Sequence, residues 1–149
     1  MRIVIQRVKE ASVEVNKKEV GKINKGLLVF FGAKKEDTEE QISWLVTKII
    51  NLRIFSDVNG KMNLSLKDIQ GEILVVSQFT LYADCTMGRR PSFIKAAEPA
   101  YAEKLYERFI KEMKKEIAKV ETGIFAAKME VKLINDGPVT FIIDAKKAI

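Results

Sequence analysis

Ile73-Leu74-Val75-Val76-Ser77-Gln78-Phe79-Thr80-Leu81 is the stretch on which the fold turns. Its first four residues form the most continuous apolar run in the chain, with Gly71 behind it and a polar loop, Ala83-Asp84-Cys85-Thr86, ahead. A short apolar run bounded by turn residues predicts a buried strand. Three hydrogen-bonding side chains, Ser77, Gln78 and Thr80, follow where the run stops. A rigid strand ending in a polar loop can present such groups to a ligand. The plainer reading is a strand that leaves the core and turns polar.

Working outward, the N-terminal side predicts strands over residues 1–8 and 11–15, where Val13 and Val15 flank Glu14. Asn16-Lys17-Lys18 predicts a turn and 20–23 a returning strand. Leu27-Leu28-Val29-Phe30-Phe31, between Gly26 and Gly32, is a second buried-strand candidate. Thr38 and Gln41 have capping-box spacing, and Ile42, Leu45, Val46, Ile49 and Ile50 mark the apolar face of a helix. A strand over 52–55, a turn at Asn59-Gly60 and a returning strand over 62–66 lead into the central run.

On the C-terminal side, 82–93 is irregular. Glu98 as cap and Pro99 at the first position open a second helix, with Tyr101, Leu105, Phe109, Met113 and Ile117 as its buried stripe. Met129, Val131 and Leu133 alternate with Glu130 and Lys132. Asn135-Asp136-Gly137-Pro138 interrupts, and 139–144 resumes as a strand. The sum is an α+β fold in one domain over 1–149: a mostly antiparallel sheet curled into a partial barrel, with two helices packed outside.

Composition excludes several classes. The 149 residues, 47% hydrophobic and 31% charged, describe a soluble globular chain with no apolar stretch long enough to span a bilayer. The start, Met1-Arg2-Ile3-Val4-Ile5-Gln6-Arg7, reads as a strand rather than a signal peptide, so the expected location is cytoplasmic. One cysteine, Cys85, excludes an internal disulfide, and a small, buried or half-buried thiol is expected there. Histidine is absent, which removes Ser-His-Asp and Cys-His catalysis and the His-containing zinc sites. The net charge of +6 points weakly to an anionic partner. The lysine pairs 17–18, 34–35, 114–115 and 146–147 are scattered and read as solvated surface. A Ser-x-x-Lys hit at Ser92-Phe93-Ile94-Lys95 lacks the Ser-Asp-Asn and Lys-Thr-Gly motifs that would accompany it, and is chance.

Three irregular segments remain: Ser77-Gln78-Phe79-Thr80, Gly88-Arg89-Arg90-Pro91-Ser92-Phe93 and Asn135-Asp136-Gly137-Pro138-Val139-Thr140. Together with the N-terminal Met-Arg-Ile-Val-Ile-Gln-Arg-Val and the 51–64 stretch, they resemble the D-aminoacyl-tRNA deacylases in order and spacing, nearly end to end. That resemblance implies cleavage of the ester between a D-amino acid and the terminal adenosine of tRNA. A backbone wall at Gly137-Pro138 that excludes an L side chain would reject L-aminoacyl-tRNA and, with nothing to clash against glycine, admit glycyl-tRNA. The resemblance also implies a homodimer whose active site lies at the subunit interface, with the Ser77 motif of one subunit facing a cis Gly137-Pro138 of the other. It implies neither metal nor cofactor. Catalysis then rests on Ser77, Gln78, Phe79 and Thr80, chiral rejection on Gly137 and Pro138, and contacts to the tRNA acceptor end on Arg89 and Arg90.

The residues are compatible with that chemistry. An aminoacyl ester is already activated, so stabilising the oxyanion with fixed N–H groups matters most. The backbone around Phe79 and Thr80 can supply them, with the neighbouring ribose hydroxyl assisting water. Thr80 as a covalent nucleophile is the alternative, but the sequence sets no base beside it. A non-enzymatic module binding nucleic acid or another anion is the other class; it accounts for the charge but not for the polar motif at a strand end.

Overall fold

The computed structural model describes residues 1–145, and the Lys146-Lys147 pair lies outside them. The chain forms β1 (Arg2–Val15), β2 (Lys18–Ile23), β3 (Gly26–Gly32), α1 (Glu40–Asn51), β4 (Phe55–Ser56), β5 (Met62–Leu64) and β6 (Glu72–Ser77). A 3₁₀ turn (Phe79–Tyr82), α2 (Pro99–Glu116), β7 (Val120–Thr122) and β8 (Glu130–Asp144) follow.

β1 is the spine. One of its edges pairs antiparallel with β3 and, further along, β2; the other pairs with β8 over most of its length. Ala11↔Ile23 and Val8↔Gly26 share one register, so β2 and β3 are two halves of a single hairpin arm. The two short strands expected at 1–8 and 11–15 are thus one strand. Lys9 and Glu10 do not break it, because register shifts against β8 absorb the local irregularity.

The central strand β6 differs from its antiparallel surroundings: it runs parallel to β3 on one side and to β7 on the other. The helical excursions of α1 and α2 supply the crossovers that parallel pairing needs. Parallel strands are covered on both faces, which accounts for the unbroken apolar run. Ile73 and Val75, with Leu27, Val29 and Phe31, face the two helices. Leu74 and Val76, with Leu28, pack inside the curl against Val8, Ala11, Val13 and Ile23. The curl closes where Gly21 of β2 meets β7: a Cβ there would stand 2.7 Å from the Thr122 carbonyl oxygen. The expectation of an α+β fold with a mostly antiparallel sheet holds, the parallel pairings being those of β6.

The helices follow their stripes. All five apolar α1 positions are buried, and Gln41 Oε1 accepts from the Thr38 N–H at 2.9 Å, one half of a capping box. α2 starts at Pro99 with Glu98 as its cap residue, although no side-chain cap bond forms. Its buried face runs through Ala102, Leu105, Tyr106, Phe109, Ile110 and Met113. Tyr101 is at the rim, donating to the Asp37 carbonyl at 2.7 Å, because a fixed four-residue step drifts off a 3.6-residue helix. The strand expected over 52–55 shortens to Phe55–Ser56, since Leu52 and Ile54 continue the exit turn of α1. Its partner likewise stops at Leu64.

Candidate active site

β6 ends at Ser77, beside Phe31 of β3. The Gln78 N–H donates to the Phe31 carbonyl at 2.7 Å, the last sheet-like bond before the backbone turns. Where the sequence suggests a plain polar loop, the chain winds into the 3₁₀ turn Phe79–Tyr82. The first bond of that turn is Leu81 N–H to the Gln78 carbonyl, 3.2 Å. The Phe79 and Thr80 N–H groups precede it, and among the described residues no acceptor faces either. Gln78 Nε2 donates to Thr80 Oγ1. That oxygen therefore receives a proton donor, and no carboxylate or amine bonds it among the described residues.

The motif borders a pocket of about 540 Å³. One wall is Phe31, Ala33 and Val76; a second is Ala96, Ala97, Glu98, Pro99 and Ala102; a third is Phe125, Ala126, Ala127, Met129 and Val131. The Phe79 ring, 55% exposed at the mouth, meets Phe93 edge-on at 5.0 Å between centroids. Phe125 packs on Tyr106, whose hydroxyl, driven to a high pKa by burial, donates to the Val75 carbonyl at 2.9 Å. Nothing in the sequence singles out the alanines or the 125–127 part of the third wall as pocket residues. Alanine is common in helices, turns and cores alike, and only Ala126, at φ 61, departs from ordinary backbone.

Gly137 and Pro138 are elsewhere. Their peptide bond is cis, and both are exposed inside β8. The segment expected to interrupt the strand is a bulge within it: β1–β8 pairing runs through Gln6↔Thr140 and resumes at Val8↔Asn135. Asn135 brackets the bulge, its Oδ1 accepting from the Val139 N–H at 2.8 Å and its Nδ2 donating to the Val139 carbonyl at 3.1 Å. A Cβ on Gly137 would stand 2.3 Å from Val139 N, so the close turn of the backbone requires glycine. Arg7 clamps the bulge from β1: Nε donates to the Asp136 carbonyl at 2.8 Å and Nη1 to the Ile54 carbonyl at 2.7 Å. Asp136 Oδ2 stands 3.4 Å from the same Nε. Arg7 is 8% exposed. A signal for it existed, since Ile3, Ile5 and Arg7 share one phase of the strand alternation.

The ladders separate the two motifs. Ser77 lies in the row Phe31, Ile3, Ile143; the bulge lies in the row of Ile73, Leu27 and Arg7. Three strand spacings of about 4.8 Å across and four residues of about 3.3 Å along give roughly 20 Å over the sheet. The structure therefore does not bring Gly137 and Pro138 to Ser77 within one chain.

Arg89 and Arg90 are exposed on the loop 84–92, also outside the pocket. That loop is closed by reciprocal Asp84–Ser92 backbone bonds of 2.8 and 2.9 Å. Bonds from the Thr86 hydroxyl and amide, then from Lys95, hold the Asp84 carboxyl down at about 2. Cys85, expected buried or half-buried, is exposed because this loop stands off the sheet. Among the described residues no cluster of His, Cys, Asp and Glu could hold a metal ion, and no helix is long and apolar enough to cross a membrane.

Comparison with known proteins finds similarity over nearly the whole chain. The family model described as D-Tyr-tRNA(Tyr) deacylase matches residues 4–144. A D-aminoacyl-tRNA deacylase of Thermosipho africanus is 62% identical over 147 residues, 99% of each chain. One from Aquifex aeolicus is 60% identical over 147 residues, again 99% of each. A solved structure described as c-Myc DNA Unwinding Element Binding Protein superposes with a TM-score of 0.92 at 39% identity, covering 98% of this chain and 99% of that one.

Proposed function

Since the chain belongs to the D-Tyr-tRNA(Tyr) deacylase family and hydrolyses the ester bond of D-aminoacyl-tRNA, we propose that it does so as a homodimer, each active site being shared between two subunits. The observation that carries this reading is that the Gly137-Pro138 bulge lies three strands across and four residues along the sheet from Ser77 and does not line the pocket beside it, a path of roughly 20 Å over the sheet. An aminoacyl ester cannot touch both within a single chain. A second copy can present its exposed bulge to the first copy's pocket mouth. Leu133, Ile134 and Ile142, exposed on the same strand, supply apolar surface for that contact.

In each site the amino acid lies between the turn at Phe79 and the partner's bulge, and the terminal adenosine fills the apolar pocket. Water attacks the ester carbonyl carbon. The Phe79 and Thr80 N–H groups, uncommitted within the turn, receive the developing oxyanion. The neighbouring ribose hydroxyl orients the water and relays its proton to the departing ribose oxygen as the carbon–oxygen bond breaks. Thr80 is not the nucleophile on this reading: its hydroxyl meets the Gln78 amide rather than a base. Arg89 and Arg90 contact phosphates of the acceptor end, and the enzyme works in the cytoplasm, where aminoacyl-tRNA is used.

Chirality is read by exclusion. D and L esters carry the same groups, so a pocket that rewards a side chain discriminates poorly, whereas a rigid wall where the L side chain would go rejects it outright. The bulge, held by Arg7 and Asn135, is such a wall. Glycine has nothing to clash, so the wild-type enzyme should cleave D-tyrosyl- and glycyl-tRNA and spare L-tyrosyl-tRNA. Sparing of glycyl-tRNA together with L-tyrosyl-tRNA would mean that a positive contact to the D side chain, not a wall, sets the selectivity.

A further inference from the structure

We propose that the Phe93 ring stacks on the unpaired base of the nucleotide that precedes the terminal adenosine, so that the enzyme holds the 3′ strand of its substrate by a base face as well as by phosphates. This rests on the reading that the pocket takes the terminal adenosine.

Phe93 lines the pocket, and its ring meets that of Phe79 at 5.0 Å between centroids with 65° between the planes. A contact of that kind uses one face of one ring and the edge of the other. The rest is open: Phe93 is 40% exposed and Phe79 55%. Neither ring joins either hydrophobic core of the described residues. The fold thus keeps two aromatic rings at the pocket mouth without burying them. It also holds Phe93 still. Ser92, just before it, exchanges both backbone bonds with Asp84, and the Phe93 carbonyl accepts from the Ala96 N–H at 3.0 Å. An aromatic surface that is exposed yet fixed needs little ordering when a ligand arrives.

The path of the substrate leads over this surface. The ester and the 5′ phosphate hang from the same ribose. With the ester carbonyl at the Phe79 and Thr80 N–H groups and the adenine within the pocket, the strand leaves at the mouth, within a sugar's width of Phe79. The Phe93 ring touches Phe79 there. The terminal adenine is enclosed by the pocket walls, so the ring at the rim is left for the base before it. Arg89 and Arg90, exposed, precede Phe93 on the same loop. Cations for the phosphates and a ring for the base face are the combination that single-stranded nucleic acid requires. The 3′ end of tRNA is unpaired and offers its base faces.

The test uses D-tyrosyl esters of adenosine 5′-monophosphate, of cytidylyl-adenosine, and of the same dinucleotide with an abasic ribose in place of cytidine. kcat/KM is measured for wild-type, Phe93→Leu and Phe93→Trp dimers. Wild type should prefer cytidine to the abasic ribose by about 5- to 150-fold, the range of one base–ring stack. Phe93→Leu should abolish most of that preference and Phe93→Trp should keep it, with the loss in Phe93→Leu confined to substrates that carry the base. The inference is overturned if Phe93→Leu keeps the wild-type preference. It is equally overturned if Phe93→Leu loses as much on the mononucleotide ester as on the dinucleotide, which would assign the ring to the terminal adenosine. Dissociation of the Phe93→Leu dimer in sedimentation would overturn it too, by assigning the ring to the subunit contact. Ala97→Leu separates the underlying reading: full activity on the mononucleotide ester in a folded Ala97→Leu dimer would mean that the pocket does not hold the adenosine at all. Impaired Ala97→Leu with an unchanged preference in Phe93→Leu would sink only the present inference.

Discussion

Replacing Arg7 by methionine tests whether the specificity corner is held from the sheet behind it. Methionine keeps much of the stem volume and removes three interactions: the bond to the Ile54 carbonyl, the bond to the Asp136 carbonyl, and the 3.4 Å pairing with Asp136 Oδ2. The Ile54 bond is buried, and a buried carbonyl left without a donor costs about 1–3 kcal/mol. Asp136 is a third exposed, so its share is discounted by solvent to about 0.5–1 kcal/mol. The total is about 1.5–4 kcal/mol, a large part of the roughly 5–15 kcal/mol that holds a domain folded. Arg7→Lys should recover only part of this, because one ammonium cannot reproduce a planar fork that serves two carbonyls at once. Urea unfolding gives the stability, and kcat/KM for D-tyrosyl- against L-tyrosyl-tRNA gives the selectivity. In the fraction that stays folded, L-tyrosyl-tRNA should begin to be cleaved while D-tyrosyl-tRNA cleavage changes less, since the proposed oxyanion donors belong to the other motif. Wild-type stability in Arg7→Lys, or an unchanged D-to-L ratio in Arg7→Met, would refute the reasoning.

Thr80→Ala should stay within about tenfold of wild type, against the ~10⁶-fold loss that follows removal of a true nucleophile, while a 2′-deoxy terminal ribose should slow cleavage strongly; a trapped acyl-enzyme on Thr80 would reverse this. Arg89→Ala with Arg90→Ala should weaken tRNA binding and flatten its salt dependence by about 0.7–0.9 of a unit per lost phosphate contact, leaving the D-to-L ratio alone; unaltered salt dependence would assign these arginines to the dimer contact. The Asp84 carboxyl, held at about 2 against an ordinary 3.8, should keep its bonds to Thr86 and Lys95 above about pH 4 and release them only as pH falls from about 4 towards 2. The sign follows from a folded pKa below the unfolded one, and an NMR titration of the Asp84 carboxyl and the Thr86 amide with a midpoint near 3.8 would contradict it.

What the sequence disclosed, and what it hid, divides along physical lines. The α1 stripe was legible because one face of the helix is buried and the other is not. The run 73–76 was legible as a strand because both of its faces are covered. The same run hid the direction of its neighbours: an unbroken apolar strand fits parallel pairing but carries no register mark. Lys9-Glu10 read as a break because polarity interrupted the alternation, yet the ladder on the β3 side keeps its register across it. Cys85 was misplaced because residue type alone cannot distinguish a buried thiol from one on a loop closed by its neighbours. What was illegible in the pocket is its alanines and the 125–127 wall, which show neither periodicity nor charge, whereas Met129 and Val131 carry the strand alternation.

The separation of the two motifs follows from where chain geometry can place strained or uncommitted backbone. The Phe79 and Thr80 N–H groups are uncommitted because a strand end turns into a 3₁₀ coil, which must leave its first donors unbonded. The Gly137 bulge exists because β8 carries more residues than β1 over the same span, which pushes backbone out of the ladder. The first device needs a strand terminus and the second needs a strand interior, so one sheet cannot readily set them face to face. Pairing two copies removes the conflict, since the interior of one sheet can lie over the terminus of another. On that account the Arg7 clamp serves a surface its own chain does not use. In the proposed dimer, the rigidity that Arg7 gives the bulge is what the other copy's site would use.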